Sequence, residues 1–279
     1  MNMQHVWLIK GASQGLGLAL VKHVLAQGQR VVATTRDVSR FAASTGLQHP
    51  CLEVISLDLT DEAAVAAAVA QVHNAHGRLD VLVNNAGFGF LGAVEEASPT
   101  DITGIFEINV FASLRLVRQV LPYMRASCMG HIFNLSSIGG FLGTPGFGIY
   151  NATKFAVEGF SEALAQEVRA LGLHVTIVEP GHFRTNFLDH SLAKAAHNIS
   201  DYAATVGRTK QTSQLRNQQQ PGDPALAAAA IYEVATTPNP PLRLLLGPDA
   251  YARATQKLAD TQAEFIRMQP LTVSTNFAE

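Results

Sequence analysis

The chain has 279 residues, 47% of them hydrophobic and 15% charged, enough for one large buried core or two small ones and unlike a disordered composition. A net charge of −2 gives no basic field for nucleic acid, and no apolar run reaches the roughly 18 residues of a membrane span. Two cysteines, Cys51 and Cys128, make no disulfide framework, and the ten histidines hold no His-x-x-x-His pair, so a reduced cytoplasmic protein without a metal is expected.

Residues 5–9 read as a short buried strand, and residues 1–4 before it leave no room for a signal peptide. A Gly-rich turn follows, Gly11-Ala12-Ser13-Gln14-Gly15-Leu16-Gly17, and then an apolar-periodic helix over 18–26. Glycines let backbone approach a pyrophosphate, and a helix N-terminus offers it N–H groups and the positive end of a dipole. The spacing is G-x-x-x-G-x-G, not the G-x-G-x-x-G of the standard dinucleotide fingerprint. A second strand over 30–35 ends at Arg36, about 20 residues past that turn, where such folds read the adenosine ribose. An acid there accepts a hydrogen bond from a 2′-hydroxyl, whereas Thr35-Arg36 supplies a guanidinium for a 2′-phosphate.

The third strand, 52–57, runs into Asp58-Leu59, and Asp61 caps an alanine-rich helix to about residue 75. A fourth, 79–83, leads to Asn84-Asn85-Ala86-Gly87. A long helix over 102–125 carries Asn109, a poor mid-helix residue. Strand 131–135 delivers Ser136-Ser137, and strand 173–178 runs into Pro180-Gly181-His182-Phe183-Arg184-Thr185. Beyond it the apolar rhythm loosens over 186–222, a stretch too long for an ordinary loop and expected to be a lid over the site. A helix over 223–236, a seventh strand at 242–246 and a helix over 248–268 complete the pattern, with a frayed tail after Pro270. Strand and helix alternate throughout. The expected fold is α/β, a single Rossmann-type domain over 1–279 with a doubly wound parallel seven-stranded sheet flanked by helices on both faces.

Between Ser137 and a helix ending near residue 170 lies the most pointed pattern. Tyr150 and Lys154 are four apart and share a helix face. A free phenol, pKa about 10, is a poor acid or base at neutral pH, and a neighbouring ammonium favours its ionised form. Ser137 lies thirteen residues earlier, within reach through a Gly-rich loop. Alone, Tyr-x-x-x-Lys most often marks an exposed helix face. In this company it suits proton transfer at a carbonyl oxygen.

Together, Gly11-x-x-x-Gly15-x-Gly17, Asp58-Leu59, Asn84-Asn85-Ala86-Gly87, Asn109, Ser137, Tyr150-x-x-x-Lys154 and Pro180-Gly181-x-x-x-Thr185 resemble the short-chain dehydrogenase/reductase family over residues 6–246. The resemblance implies an oxidoreductase that interconverts a carbonyl and a secondary alcohol. Tyr150 would be its acid/base, Lys154 the residue that tunes the phenol and holds the nicotinamide ribose, and Ser137 the support of the carbonyl oxygen. Asn109 would hold a water in a proton relay. Gly11, Ser13, Gln14, Gly15, Leu16, Gly17, Arg36, Asp58, Leu59, Asn85, Ala86, Gly87, Pro180, Gly181, Phe183 and Thr185 would bind the cofactor with Tyr150 and Lys154. Arg36 favours NADP(H) over NAD(H). The resemblance also implies a homodimer or homotetramer through helices 102–125 and 147–170, acting on a small molecule. An NAD(P)-binding regulator or scaffold, or an epimerase or dehydratase on the same fold, is the alternative. Lys10 stands where the family has threonine. A buried ammonium there is costly unless paired, so Lys10 is expected to reach solvent or to meet an acid or phosphate.

Overall fold

Strand β1, Val6–Lys10, is buried along its whole length and feeds two cores at once. Val6 and Leu8 point to one face of the sheet, among Val65, Val69, Leu116 and Leu164, while Trp7 and Ile9 point to the other, among Leu20, Val24 and Ile231. Each such side chain contributes about 1.5–3 kcal/mol on burial, and a slip of one residue would exchange the two sets. Both faces being covered explains why the strands read as continuous apolar runs.

The computed structural model describes residues 4–277; the expectation about the first residues therefore lies outside the described ones, except for Gln4. The remaining strands are β2 (Arg30–Thr35), β3 (Leu52–Ser56), β4 (Val81–Asn84), β5 (Gly89–Leu91), β6 (Gly130–Leu135), β7 (Leu173–Pro180), β8 (Leu192–Lys194) and β9 (Arg243–Leu246). Seven form one sheet in the order β3-β2-β1-β4-β6-β7-β9, every pair parallel. The helices are α1 (Gly15–Ala26), α2 (Val38–Thr45), α3 (Glu62–His76), α4 (Pro99–Phe106), α5 (Ala112–Ser127), α6 (Gly148–Arg169), α7 (Arg208–Arg216), α8 (Pro224–Thr236) and α9 (Pro248–Val273). The chain order reverses direction across the sheet at β1 and β4, the switch point at which doubly wound folds bind ligands.

Asp61 caps α3 as read, through Ala63 N and Ala64 N at 2.8 and 3.0 Å; Asp223, read only as the start of a helix, caps α8 through Ala225 N at 2.8 Å. Helix α2 and strand β5 have no counterpart in the reading, and other features differ from it. The helix over 102–125 is broken by a π-turn, Glu107–Phe111, between α4 and α5. The tail is helical through Pro270 to Val273; out in solvent, the proline forfeits one ladder bond and meets no packed neighbour. The stretch 186–222 is built of elements: β8 pairs in parallel with β5, a second π-turn spans Ala203–Gly207, and α7 follows. No helix among the described residues is long and apolar enough to cross a membrane.

Candidate active site

The C-terminal ends of β1, β4, β6 and β7 share one edge of the sheet. After β1 the chain turns at Gly11, whose φ is +75° and where an added Cβ would lie 2.6 Å from Ala86 Cα. At Gly17 a Cβ would press on the Gly11 carbonyl and on the Asn85 amide that donates to that carbonyl at 2.6 Å. Gly15 faces the Thr185 side chain at 3.4 Å, which brings the loop after β7 to this turn. Gln14 caps α1 with extended backbone and no side-chain cap bond, and α1 has no acid in its first turn. Bare backbone at an uncapped helix N-terminus fits a pyrophosphate. Ser13 and Leu16 lie in the same turn, and the Gln14 amide donates at 3.1 Å to Ser191 Oγ of the 186–222 segment.

Arg36 is exposed at the end of β2. The neighbouring acid, Asp37, is engaged as the cap of α2, accepting from Arg40 N at 3.0 Å and from Ser39 Oγ at 2.6 Å, which holds its carboxyl below the usual range. Asp58 accepts from Thr60 N at 2.9 Å and Thr60 Oγ1 at 2.7 Å and is likewise held low by those bonds, with Arg115 and Arg36 adding to them. The Leu59 carbonyl accepts from Arg115 at 3.2 Å. After β7, Gly181 N donates to the Leu246 carbonyl at 2.9 Å. Asp249 holds His182 through its backbone N at 3.0 Å and its Nδ1 at 2.6 Å, Phe183 bridges to Gly222, and Thr185 Oγ1 accepts from Phe187 N at 3.3 Å.

Ser137 follows β6 and caps a short turn, its Oγ accepting from Gly139 N at 3.0 Å. Ser136, one residue earlier, is buried. Tyr150 lies in the first turn of α6. A Cβ at Gly139 would sit 3.4 Å from both Ser137 Oγ and the Tyr150 ring, so the loop folds as its glycines require. Lys154 donates to the Leu135 carbonyl at 2.7 Å and lies 5.8 Å from the Tyr150 ring centroid. The expectation of a lowered phenol does not hold in this structure. Burial pushes Tyr150 up to about 12, only partly offset by the Ser137 hydroxyl. The rings of Phe187 and Phe147, centroids 5.5 and 6.1 Å from that of Tyr150, shut water away, and the Lys154 head is turned to a carbonyl. Burial also brings Lys154 down to about 8, against the opposing pull of Glu158.

Asn109 is buried in the π-turn. Its Oδ1 accepts from Phe88 N at 3.0 Å, and its Nδ2 donates to the Phe88 carbonyl at 2.9 Å and to Thr153 Oγ1 at 3.1 Å. Thr153 in turn donates to the Tyr150 carbonyl at 2.7 Å. Asn109 therefore joins the end of β4 to α6, and a Cβ at Gly87 between them would lie 2.9 Å from Asn109 Oδ1 and 3.7 Å from Lys154 Nζ.

Lys10 does what neither expectation allowed. It is fully buried with no acid partner among the described residues, and it donates to the Ile108 carbonyl at 3.0 Å and to Ser113 Oγ at 3.1 Å. A carbonyl and a hydroxyl replace the anticipated carboxylate, because Lys10 continues the Val6–Leu8 face of β1 toward the π-turn. Parity along the strand carried that signal. Also missed was a buried acid pair behind Lys154. Glu158, one turn further along α6, and Glu179 both pair with Arg243, the former at 2.6 Å. Burial and the Glu158 charge raise Glu179, and Arg243 offsets this in part. The four-residue step from Lys154 to Glu158 was legible; the partners on β7 and β9 were not.

The short chain dehydrogenase model matches residues 5–196, more than half of the chain. This chain belongs to the short-chain dehydrogenase family. It is 37% identical to a 3-ketodihydrosphingosine reductase of Bacteroides thetaiotaomicron over 86% of this chain and 87% of that one. It superposes on the crystal structure of a short-chain dehydrogenase from Streptomyces avermitilis with a TM-score of 0.89 and 42% identity, covering 99% and 100% of the two chains. A metagenomic short-chain oxidoreductase solved with NADP has 28% identity and a TM-score of 0.68 over 87% and 96% of the chains. One from Burkholderia phymatum solved with NAD, at 24% identity and a TM-score of 0.81 over 94% and 95%, shares the fold. The family makes this chain an NAD(P)-dependent dehydrogenase or reductase.

Proposed function

We propose that this short-chain dehydrogenase interconverts a ketone and a secondary alcohol with NADP(H), using Tyr150 as acid and base. The convergence of Tyr150, Ser137 and Lys154, with Asn109 beneath them, at the sheet's switch point carries the reading. When bound, the nicotinamide cofactor supplies or accepts the hydride. In reduction the carbonyl carbon gains that hydride, and the oxygen takes the phenolic proton of Tyr150. Ser137 Oγ donates to the same oxygen, and Lys154 balances the phenolate left behind. In oxidation the alcohol proton passes to the phenolate. The chain's own work is to hold the oxygen, exclude water and refill the phenol. Incubating the protein with NADPH and a panel of ketones tests the proposal; consumption of NADPH with none of them, in a protein that binds it, would overturn it. The Bacteroides relative, named as a 3-keto reductase, and the apolar side chains of Phe90, Ile149, Phe147 and Phe187 around Tyr150 support an apolar ketone.

Cofactor preference rests on Arg36 and on the engagement of Asp37 in a helix cap. Arg36→Ala is expected to weaken NADPH binding about tenfold, the scale of one charge-assisted hydrogen bond, and NADH binding far less. Fluorescence titration with both nucleotides reads it. Tighter binding of NADH than NADPH by the wild type would refute the assignment.

We assign residues 186–222 as a lid. Glu96, buried, accepts from Ile199 N at 2.7 Å and from Lys210 at 3.1 Å, and Phe187 rests on Tyr150, while α7 buries no residue. Amide exchange over 203–217 is expected to be fast without nucleotide and to slow on adding NADPH; equal strong protection in both states would exclude a lid. The exposed Phe111 and Phe155, on the π-turn and α6, support self-association through those helices, and two free cysteines suit a cytoplasmic setting.

A further inference from the structure

We propose that Lys10 is a positioning residue for proton transfer: its buried ammonium ties β1 to the π-turn and thereby fixes the Asn109 side chain against Thr153, under Tyr150. The proposal rests on the reading of Tyr150 as acid/base.

A π-turn is one residue wider per bond than an α-turn and depends on contacts outside the helix to persist. Here the Ala112 N–H reaches back to the Glu107 carbonyl, and Asn109 sits inside the bulge. Lys10 grips the bulge on both sides of Asn109. One donor goes to the Ile108 carbonyl, immediately before it. Another goes to Ser113 Oγ, whose own hydrogen goes to the Asn109 carbonyl at 3.3 Å. From Asn109 the chain of bonds runs through Thr153 Oγ1 to the Tyr150 carbonyl. Lys10 itself is in register with Thr34 on β2 and Asn84 on β4, at the centre of the sheet, so the grip has a rigid base.

The ammonium is expensive where it stands. The charged groups that act on it are Lys154 from α6 and Arg115 from α5, and Arg115 is itself paired with Glu107 and Glu62. Burial first, and then those two cations, bring Lys10 down to about 7. A methionine has similar length and no such cost. The ammonium offers what a methionine lacks, donors for the π-turn on both sides of Asn109.

Two variants test the grip. Lys10→Met removes donors and charge. It is expected to speed amide exchange at residues 108–113 at least about tenfold and to lower kcat about tenfold to a hundredfold, as small misplacements do. NADPH affinity should stay within about twofold, because the Gly11–Gly17 turn is untouched. Lys10→Gln keeps a donor without the charge. With one shorter donor arm it should retain part of the exchange protection and part of kcat, falling between Lys10→Met and wild type. Lys10→Gln also serves if Lys10→Met fails to fold. Wild-type exchange at 108–113 in either variant would overturn the proposal. So would a loss of kcat matched by an equal loss of NADPH affinity, or one that Lys10→Gln does not partly restore, the mark of a merely structural lysine. Exchange is read without turnover, so failure of the Lys10 grip is distinguishable from failure of the Tyr150 reading, which Tyr150→Phe tests separately.

Discussion

Tyr150→Phe should lower turnover by about 10²–10⁴-fold, the usual contribution of a general acid, and leave NADPH affinity and thermal stability near wild type. The ring remains to pack against Phe147 and Phe187, and the Gly11–Gly17 turn is unchanged. Only the hydroxyl proposed to exchange the proton is gone. Ser137→Ala should cost about 10²–10³-fold, the scale of one lost oxyanion donor. Lys154→Met should lower both turnover and cofactor affinity, and it leaves the Leu135 carbonyl without the donor it now has at 2.7 Å. The phenol, pushed up to about 12, keeps its proton at neutral pH and is ready to give it in reduction. Lys154, brought down to about 8, is an ammonium below that pH and loses its charge above it. Because kcat/KM reports groups of the free enzyme, kcat/KM for ketone reduction should be level through neutrality and fall as pH rises past about 8. Near wild-type turnover by Tyr150→Phe would end the mechanism.

Gly17→Ala is expected to weaken NADPH binding by more than about 10²-fold, a loss comparable to that of a buried charge-assisted bond. The new methyl would land on the Gly11 carbonyl and the Asn85 amide at once. The first is backbone, the second is a side-chain end tied to it at 2.6 Å, and Gly11 is itself packed against Ala86. To admit the methyl the bond must open, and the turn spreads where a pyrophosphate would lie. Gly104→Ala is the control. Gly104 lies in α4 with nothing within 4 Å of an added Cβ, so the change should leave affinity alone and stabilise the helix by up to about 1 kcal/mol. Nucleotide titration and a thermal melt of both variants decide it; tight NADPH binding by Gly17→Ala would contradict the cradle.

The central strands β1 and β4 were legible because both faces are buried, so they appear as apolar runs, whereas β3 at the sheet edge, Leu52–Ser56, is half-buried and mixed in sequence. Helix α2 was not, since Phe41 is its only buried side chain and an apolar period needs more than one. Strands β5 and β8 are three residues each and find one another across about a hundred positions, Gly89 with Leu192 and Leu91 with Lys194. Nothing local announces such a pair. The residues of the site were legible as a spaced set, Ser137 before Tyr150 before Lys154. The raised phenol was not, because it depends on Phe187 arriving from another segment. Asn109 looked like a helix flaw and proved to be the centre of a π-turn. Strand parity places Lys10 on the buried face, but its partner in that turn, the Ile108 carbonyl 98 positions later, has no local signal.

The neck of the excursion after β7 is closed by backbone. Arg184 N donates to the Gly222 carbonyl at 2.9 Å, and Gly222 N donates to the His182 carbonyl at 3.0 Å. The segment therefore leaves the sheet and returns to it at a single doorway. Ser137, Tyr150, Lys154 and Asn109, the residues proposed to handle the proton, stand on the other side of that doorway, and the excursion touches Tyr150 through Phe187. An insert whose ends already meet imposes little closure entropy on whatever replaces it. The chain is thus divided into a fixed engine and an exchangeable cassette, and a transplanted excursion spliced in beyond Phe187, which keeps Thr185 at Gly15 and the ring on Tyr150, offers a route to new substrates.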